Sequence, residues 1–395
     1  MREHESIGPN IARANLRGRC RPHRRERATV KLVHFSDLHL DAHFAWLGGT
    51  AQLARERRQA LREALLRIAA VVREVGADAL LCGGDLFEHE RVTPDTGKFL
   101  KDTFAALAPV PVFIAPGNHD WLGPQSLYNQ VTWSENVHIF RSAGLEAVEL
   151  GPGITLWGAA HCAPANTAGF LDSFRVDRPG VNLALFHGSE RAWFVDQEKG
   201  KAPHAPFDAE QIPAAGLDFA FLGHFHTPKH TAHLCYPGNP EPLAFGETGN
   251  RGVVVATIGA GEPVVLERLD VASTRLEDVI INLTGCAHQQ AVRDRVTDAI
   301  KKLDSFVRAT LQGEVAPEVD VELSDLQQLA GPKAQLRIGK VTFGYNLDAI
   351  RAEETIRGQF VRDVEEDAFL VDDTRRRILV TGLRALEGRT DLRVL

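Results

Sequence analysis

Residues 111–123 read PVFIAPGNHDWLG, an apolar run that ends in a carboxamide, an imidazole and a carboxylate. A short apolar run bounded by proline and glycine predicts a buried strand over 111–115. Asn118, His119 and Asp120 then follow the end of that strand. The rest of the chain must show which other polar groups could meet these three side chains.

The same pattern of apolar strand and polar loop comes twice earlier in the chain. Residues 30–36, VKLVHFS, precede Asp37 and His39, and residues 79–84, ALLCGG, precede Asp85. Each apolar run is short and rich in residues that favour a buried strand. Three predicted strands therefore each end in a polar loop.

Helices are predicted between these strands. Apolar residues repeat every three or four positions from 61 to 75, as one face of a helix requires. Thr93 before Pro94 predicts the start of a second helix, which continues to about residue 107. The first part is thus β-α-β-α-β, and the later part is mainly β, which together predict a layered α/β sandwich. The later predicted strands lie at 155–160, 182–187, 218–223, 252–258 and 263–269.

Two of the later strands also end in histidines. His187 closes the strand over 182–187, and the sequence GHFH places His224 and His226 behind the strand over 218–223. The ends of parallel strands converge on one crevice in an open α/β sheet, so residues distant in sequence become neighbours there. We therefore expect one polar cluster built from five loops.

The residues at these strand ends form a consistent set of metal ligands. Carboxylate, carboxamide and imidazole donors without thiolate suit manganese, iron or zinc. Seven ligands are too many for one ion but suffice for two ions if one carboxylate bridges, with positions left for water and substrate. The predicted metal ligands are Asp37, His39, Asp85, Asn118, His187, His224 and His226, with His119 set aside for another role.

Near residue 272 the pattern changes, and we predict a small separate domain with the order β-α-β-β over 272–345. Residues 346–395 are predicted to form helices rich in both charges, which present a solvated face or a partner-binding face. No apolar run approaches the ~18 residues that cross a bilayer, so no membrane association is expected. The five cysteines never form a CxxC pair, which favours a reducing cytoplasm. The predicted elements of the small domain are strands at 278–285, 318–323 and 335–343 and a helix from about 289 to 306.

The chain is acidic apart from its first residues. Residues 1–28 hold eight arginines against three glutamates, so we expect a basic disordered tail that is either solvated or in contact with nucleic acid. Removing this +5 from the net charge of −7 leaves −12 on the rest. Such a body repels polyanions unless bound ions or a local basic strip reverse the sign. The candidates for a basic strip are Arg251, Lys333, Arg337 and Lys340.

The motifs together resemble those of the calcineurin-like metallophosphoesterase superfamily. The motifs are DLH (37–39), GGDLF (83–87), GNHD (117–120), FHG (186–188) and GHFH (223–226). Within that superfamily, GNHDWLGPQSLY (117–128), HAPFD (204–208) and YPGNPEPLAFGE (236–247) resemble the SbcD-type DNA repair exonucleases, including the YhaO-like bacterial members. The resemblance implies a four-layer αββα sandwich of class α/β as a catalytic domain over 29–271. It also implies a small α+β capping domain at 272–345, followed by a helical C-terminal segment at 346–395.

The resemblance implies a role for each polar residue. His119 faces the scissile phosphate and protonates the departing sugar oxygen, because imidazole titrates near working pH. Asp120 either orients the His119 ring or acts at a helix N-terminus. Glu88 departs from the pattern, because several double-strand-break nucleases have histidine at that position. One ion is held by Asp37, His39 and His226, the other by Asn118, His187 and His224, and Asp85 bridges them.

Three classes of function fit this sequence. The leading prediction is a DNA repair exonuclease or endonuclease with two divalent ions, manganese being favoured over iron, zinc or magnesium. This prediction includes an SMC-like ATPase partner and a homodimer. The second is a cytosolic phosphodiesterase or phosphatase that acts on small nucleotides or other phosphoesters. The third, a non-catalytic binding scaffold of the same fold, is disfavoured by the intact ligand set.

Overall fold

The computed structural model describes residues 29–47, 51–196 and 203–389, and the predicted basic tail at 1–28 lies outside these described residues. Helices alternate with the first strands, and strands dominate the middle of the chain, as the sequence patterns predict. The described strands are, in chain order, β1 Thr29–Phe35, β2 Ala79–Cys82, β3 Val112–Ile114, β4 Val137–Ile139, β5 Glu146–Gly151, β6 Ile154–Gly158, β7 Val181–His187, β8 Phe219–Gly223, β9 Lys229–His230, β10 Leu234–Tyr236, β11 Gly252–Gly259, β12 Val265–Asp270, β13 Leu276–Asn282, β14 Phe306–Val315 and β15 Ala334–Phe343. The described α-helices are α1 Ala51–Glu74, α2 Pro94–Ala105, α3 Leu127–Gln130, α4 Gln211–Ala214, α5 Gln289–Ile300, α6 Leu323–Ala330, α7 Leu347–Arg351, α8 Ile356–Glu366 and α9 Asp372–Leu386.

The first sheet has six strands in the order β12-β11-β1-β2-β3-β4. Strands β1 to β4 are parallel, and β11 and β12 extend the sheet in antiparallel fashion. Helices α1 and α2 cover its outer face, where Leu65 and Ile68 of α1 share a hydrophobic cluster with Phe35 of β1. The predicted start of α2 is confirmed, because the Thr93 side chain accepts a hydrogen bond from the Thr96 N–H.

The second sheet also has six strands, in the order β5-β6-β7-β8-β10-β9. Its inner face packs against the first sheet, where Leu32 and Leu81 meet Leu185 and Phe221 in a fully buried cluster. Short α4 and long loops cover its outer face, with Ile212 among the buried residues there. The predicted four-layer αββα sandwich of the α/β class is confirmed, and its fourth layer is thin because loops replace long helices.

The polar loops of both sheets lie at the carboxyl ends of their parallel strands. Strands β1, β2 and β3 of the first sheet lead into the first three loops, and β7 and β8 of the second sheet lead into the other two. Hydrogen bonds join these loops. Within the first sheet, the Asp37 N–H donates to the Gly84 carbonyl at 2.9 Å, and between the two sheets the His187 Nδ1 lies 2.9 Å from the Gly83 carbonyl. The convergence of strand ends in both sheets is what brings distant residues together.

Strands β13, β14 and β15 form a third, parallel sheet, and helices α5 and α6 lie between them in sequence. The observed order is therefore β-α-β-α-β, and the prediction of a strand over 318–323 is wrong. Neighbouring parallel strands need a crossover connection, and α6 with its preceding loop provides it. Val319 and Val321 alternate with polar residues, as in a strand. In the structure, however, both side chains anchor a loop in the hydrophobic cluster of the third sheet.

A buried arginine joins the third sheet to the sandwich. Arg57 of α1 is 1% exposed and pairs with Glu241 at 2.7 Å. Its guanidinium also donates to the hydroxyl of Thr274, in the segment that leads into β13. Nearby, the ring centroids of Trp46 and Phe306 lie 5.6 Å apart. Apolar packing and a desolvated ion pair thus hold the two parts of the chain together.

The C-terminal helices pack against each other and against the third sheet. Leu383 of α9 shares a small apolar cluster with Ile350 and Val361, and Val380 joins the cluster of the third sheet. The predicted helical character of this segment is confirmed over the described residues. Among those residues, no helix combines the length and the apolar character that a membrane span requires.

Replacement of Glu241 tests the buried ion pair. Glu241→Gln leaves the Arg57 guanidinium buried without a counter-charge, so we expect the free energy of unfolding to fall by about 3 kcal/mol. Urea unfolding followed by circular dichroism measures this change. The control Asp208→Asn breaks the exposed pair of Asp208 with Arg191, and we expect a loss of about 0.5 kcal/mol or less. Equal losses in the two variants would contradict the role of the buried pair.

Candidate metal centre

Four of the predicted ligand residues have a left-handed backbone. The φ angles are 55° at Asp37, 49° at His39, 51° at Asp85 and 118° at His224. Residues other than glycine rarely adopt such angles, and they persist only where the surrounding structure enforces them. The loops behind β1, β2 and β8 are therefore held in conformations that direct these side chains to one place.

The carboxylate of Asp85 lies at the centre of the cluster. Its Oδ2 is 3.3 Å from the Nε2 of His187 and 3.6 Å from the Nε2 of His39. Its Oδ1 accepts a hydrogen bond of 2.8 Å from the backbone N–H of His119. Asp85 is 2% exposed and His187 is fully buried, so this arrangement is shielded from bulk water.

Each of three imidazoles is fixed through its Nδ1. The Nδ1 of His39 lies 2.7 Å from a carboxylate oxygen of Glu88, that of His226 lies 2.6 Å from Glu247, and that of His187 lies 2.9 Å from the Gly83 carbonyl. An acceptor at Nδ1 places the ring proton there and leaves a lone pair on Nε2. The Nε2 atoms of His39 and His187 then present lone pairs to the Asp85 carboxylate.

Several buried nitrogen and oxygen atoms that could bind a metal have no hydrogen-bond partner, which shows that the cluster fits a cation. Within the described residues, the Nε2 of His39, the Nε2 of His187 and the Oδ1 of Asn118 are buried and have no hydrogen-bond partner. Burial opposes protonation of the His187 ring, but the facing Asp85 carboxylate outweighs it and raises the pKa of His187 to about 9. The site therefore calls for positive charge between these atoms, which a divalent ion would supply.

The ligand atoms fall into overlapping groups. Those of Asp37, His39 and His226 lie within 4.8 Å of one another, as do those of Asp37, Asp85 and His187. The first group is the set predicted for one ion. Asp37 and Asp85 together belong to the second group, which indicates two adjacent cation positions with carboxylates between them.

His224 joins the same cluster. The His224 ring centroid lies 5.3 Å from that of His187, and the His224 N–H donates to both carboxylate oxygens of Asp37. Burial lowers the pKa of His224 well below its usual value, so its ring is neutral. The structure thus brings six of the seven predicted ligands into one region, and Asn118 precedes His119, whose N–H binds Asp85, in the loop behind β3.

His119 stands at the edge of the cluster. Its ring centroid lies 4.7 Å from that of His39, and its side chain is 38% exposed. Its Nδ1 is 2.9 Å from a carboxylate oxygen of Glu88. His119 therefore adjoins the predicted ligands and is also accessible to a molecule that enters from solvent.

Asp120 does not orient the His119 ring, so that prediction is wrong. Its carboxylate is fully buried and accepts four hydrogen bonds, from the N–H groups of Asp85, Leu86 and Gly117 and from the hydroxyl of Tyr128. These bonds join the loop behind β2 to the loop behind β3. Asp120 acts on the cluster by fixing the backbone that carries Asp85. The alternative prediction, that Asp120 acts at a helix N-terminus, is also wrong, because none of these four partners is the N–H group of a helix.

Glu88 and Glu247 were missed by the sequence reasoning as functional residues. One carboxylate oxygen of Glu88 contacts His39 and the other contacts His119. Burial favours the neutral acid, but these two contacts prevail and lower the pKa of Glu88 to about 2. The sequence offered a signal for Glu88, because it departs from the resembled motif, in which several double-strand-break nucleases have histidine at this position.

Glu247 fixes His226 from a separate loop. Its second oxygen accepts hydrogen bonds from the Asn239 amide at 2.7 Å and from the Leu243 N–H at 2.6 Å. Burial raises its pKa, but the contact with His226 overcomes this effect and the pKa falls to about 2. The run YPGNPEPLAFGE, quoted above only for its resemblance, therefore builds a rigid support for a predicted ligand.

Two other histidines, His34 and His161, are packed in the core. His34 lies within β1, and burial lowers its pKa to about 3. His161 is buried, with its Nε2 2.8 Å from the His187 carbonyl and its Nδ1 2.8 Å from the Thr167 hydroxyl. His161 therefore supports the backbone of a predicted ligand from outside the cluster.

Comparisons with known proteins indicate the family of this chain. A family model described as calcineurin-like phosphoesterase matches residues 30–228. The chain is 27% identical over 379 residues to the uncharacterized metallophosphoesterase YhaO of Bacillus subtilis (strain 168), covering 91% of this chain and 85% of that protein. It is 25% identical over 299 residues to the DNA double-strand break repair protein Mre11 of Methanopyrus kandleri, covering 68% of this chain and 62% of that protein. Among solved structures, TT1561 of Thermus thermophilus aligns with a TM-score of 0.35 and 12% identity, covering 62% of this chain and all of that one.

Substitution of Glu247 tests the support of His226. Glu247→Gln removes the negative charge from the carboxylate that holds the His226 Nδ1 proton, so we expect a 10- to 100-fold loss of divalent metal affinity. Calorimetric titration with Mn²⁺ measures the affinity. Glu267→Gln, at an exposed position of β12, serves as the matched control and should bind like the wild type. Wild-type affinity in Glu247→Gln would show that the carboxylate does not act on the metal site.

Proposed function

The chain belongs to the calcineurin-like phosphoesterase family, and we propose that it is a two-metal phosphodiesterase that hydrolyses DNA. The observation that carries the proposal is the position of the Asp85 Oδ2 between the Nε2 atoms of His39 and His187. Donor atoms at this spacing around a buried carboxylate favour a bridged pair of cations. The family uses divalent metals, and the mixture of oxygen and imidazole donors favours manganese, with iron, zinc and magnesium as the other candidates.

The proposed ligand assignment is the one that the family resemblance implies, and the distances around Asp85 support it. In this assignment Asp85 would contact both ions, Asp37 would help to hold the first ion, and the Asn118 amide oxygen would help to hold the second. Bound divalent ions supply Lewis-acid activation of water and neutralise the charge of a phosphodiester. The left-handed loops and the buried carboxylates of Glu88 and Glu247 hold these donors in place before substrate arrives. One ion is assigned to Asp37, His39 and His226 and the other to Asn118, His187 and His224.

His119 is the proposed general acid. Its Nδ1 is occupied by Glu88 at 2.9 Å, so a proton transferred to the departing sugar oxygen would leave from Nε2. The Glu88 carboxylate is ionised, because its pKa is lowered to about 2, and it contacts the Nδ1 side of the His119 ring. The side chain is 38% exposed, which gives a phosphodiester access to it.

DNA is the proposed substrate because of the relatives and the motifs. The Methanopyrus relative is named a DNA double-strand break repair protein, and it covers 68% of this chain. The motif runs around GNHD, HAPFD and YPGNPEPLAFGE point to the same group of DNA repair exonucleases. A small nucleotide or phosphoester is the second candidate, favoured by the net charge of −7, which opposes the approach of a polyanion.

The proposal also covers partners and location. Exposed apolar side chains on the C-terminal segment, with Phe369 at 97% and Ile356 at 80% exposure, fit a surface that an SMC-like ATPase subunit covers. Homodimer formation is tested by light scattering, which should give twice the mass of one chain. A cytoplasmic location fits the four cysteines of the described residues, which are free thiols.

The substrate class is tested with the purified chain and Mn²⁺. We expect release of nucleotides from linear DNA, because the site would hold both the phosphodiester and the activating ions. Measurement of acid-soluble nucleotides on end-labelled DNA gives the rate, and a chelator should abolish it. Hydrolysis of bis(4-nitrophenyl) phosphate without any cleavage of DNA would instead establish the small-phosphoester alternative.

Substitution of His119 separates enzyme from scaffold. His119→Gln removes the proposed proton donor but no proposed metal ligand, so kcat should fall by about 100-fold or more while two ions stay bound. Steady-state kinetics and metal analysis of the same sample provide the two readouts. His233→Gln, exposed and outside the cluster, is the matched control. Unchanged kcat in His119→Gln would remove His119 from the mechanism.

A further inference from the structure

One face of the third sheet is covered by helices, and the other is open. Val292 of α5 and Leu326 of α6 pack with Leu311 of β14 on the covered face. Side chains alternate between the faces of a strand, so Ile280 of β13 points to the opposite face, where it is 66% exposed. No helix within the described residues packs over the middle of this open face. The open face is defined here by the neighbouring positions Ile280, Thr310 and Arg337, which are in register.

The open face begins beside the candidate metal centre. At its base, Phe306 packs against the sandwich, with its ring centroid 5.6 Å from that of Trp46. The Arg308 guanidinium lies 5.2 Å from the ring centroid of Phe245. Phe245 is two residues from Glu247, which holds the Nδ1 of His226 at 2.6 Å. The open face therefore continues outward from the His226 side of the metal centre.

Most basic residues near this face are already neutralised or occupied. Arg308 pairs with Asp278, and Arg376 pairs with Glu314 at 2.7 Å. The Lys333 ammonium lies 5.7 Å from the ring centroid of Phe306. Arg251, a candidate for a basic strip in the sequence, is 3% exposed and donates to the His226 carbonyl, so it is a buried structural residue and that prediction is wrong.

Three exposed cations remain. Arg337 and Lys340 lie on β15, and Arg377 lies on α9. None of the three belongs to an ion pair within the described residues, and Arg337 donates only to the Thr310 hydroxyl, at 2.8 Å. Lys340 and Arg377 line one cavity of about 530 Å³, together with Arg376 and Asp373. Arg337 and Lys340 thus follow β15 from the open face to this cavity, which Arg377 and Asp373 also line.

We propose that Arg337, Lys340 and Arg377 form a track that binds the sugar-phosphate backbone of substrate DNA along the open face. This inference rests on the proposed function, since it names how that substrate is held. Unpaired cations on an acidic protein attract phosphates locally and release counterions when a phosphate binds. The uncharged side chains of Thr310 and Gln335 on the same face suit hydrogen bonds to phosphate and sugar oxygens.

DNA fits this track better than an acidic protein does. In its middle, the open face carries one large exposed aliphatic side chain among the described residues, Ile280, while the aromatic ring of Phe306 lies at its base and packs against the sandwich. Protein interfaces rely on buried aromatic and aliphatic anchors, whereas phosphate contacts need only positioned cations and hydrogen-bond donors. Continuity with the centre at His226 would lead a bound strand towards the proposed ligands.

The track is tested by binding to phosphorothioate DNA, which resists cleavage, with the metal-loaded full chain. In Arg337→Gln/Lys340→Gln we expect the dissociation constant to rise about tenfold at ~0.15 M salt, because two phosphate contacts are lost. The slope of log K against log salt should become less negative by about 1.5. Fluorescence anisotropy over a salt series measures both quantities. Rates on bis(4-nitrophenyl) phosphate should match the wild type, because this substrate is too small to reach the track.

The matched control removes two cations from the covered side of the same domain. Lys301→Gln/Lys302→Gln changes exposed lysines at the end of α5 and should retain wild-type affinity and salt slope. An unchanged slope in the track variant, or an equal loss in the control, would overturn the proposal. Equal displacement of DNA by poly-glutamate would also overturn it, in favour of a protein partner.

The two proposals fail in different ways. If the wild type binds DNA through the track but cleaves only small phosphodiesters, the nuclease function fails and the track stands. If the wild type cleaves DNA and the track variant binds it equally well, the track fails and the nuclease function stands. Arg377→Gln, which lies on α9 instead of β15, gives an independent third measurement with an expected slope change of about 0.8.

Discussion

The site depends on positive charge, from a proton or a cation, between the buried Asp85 carboxylate and the imidazole nitrogens that face it. The Oδ2 of Asp85 lies 3.3 Å from one such nitrogen and 3.6 Å from another, in a region shielded from the bulk water that would screen the interaction. A proton or a cation must lie between these atoms for the arrangement to be stable. The left-handed backbone at Asp37, His39 and Asp85 fixes the direction of these three side chains. The strained loops therefore hold the side chains in the arrangement that requires a positive charge between them.

The residues around the ligands explain how such an arrangement persists. Asp120 joins the loops behind β2 and β3 through four hydrogen bonds, and so fixes the backbone of Asp85. Glu88 contacts both His39 and His119, so one carboxylate positions a proposed ligand and the proposed general acid together. Glu247 does the same for His226 from a loop that is itself bound to Asn239. Because the groups are fixed before substrate arrives, little reorganisation accompanies the reaction.

The position of the third sheet bears on which substrate the proposed metal site would accept. The buried pair of Arg57 with Glu241 and the contact of Trp46 with Phe306 fix the sheet beside the sandwich. Its open face then presents unpaired cations next to an otherwise acidic body. A small phosphoester would need only the metal centre, whereas a polymer would need such a surface to overcome the repulsion of the whole chain. The fold therefore offers a physical basis for preferring a polyanionic substrate.

Local patterns along the chain were enough to predict the sandwich and to nominate the seven proposed ligands. An apolar run predicts a buried strand wherever it occurs, and the polar residues behind Phe35, Cys82 and Ile114 are next to those strands in the chain. Such patterns failed at residues 318–323, where alternating valines anchor a loop, and at Asp120, whose partners come from loops in two parts of the chain. The folded chain alone reveals that Glu88 serves two histidines, that Glu247 supports His226, and that Arg251 is buried while Arg337 is exposed. Those facts depend on distances between segments far apart in sequence, and no local pattern of residues encodes such a distance.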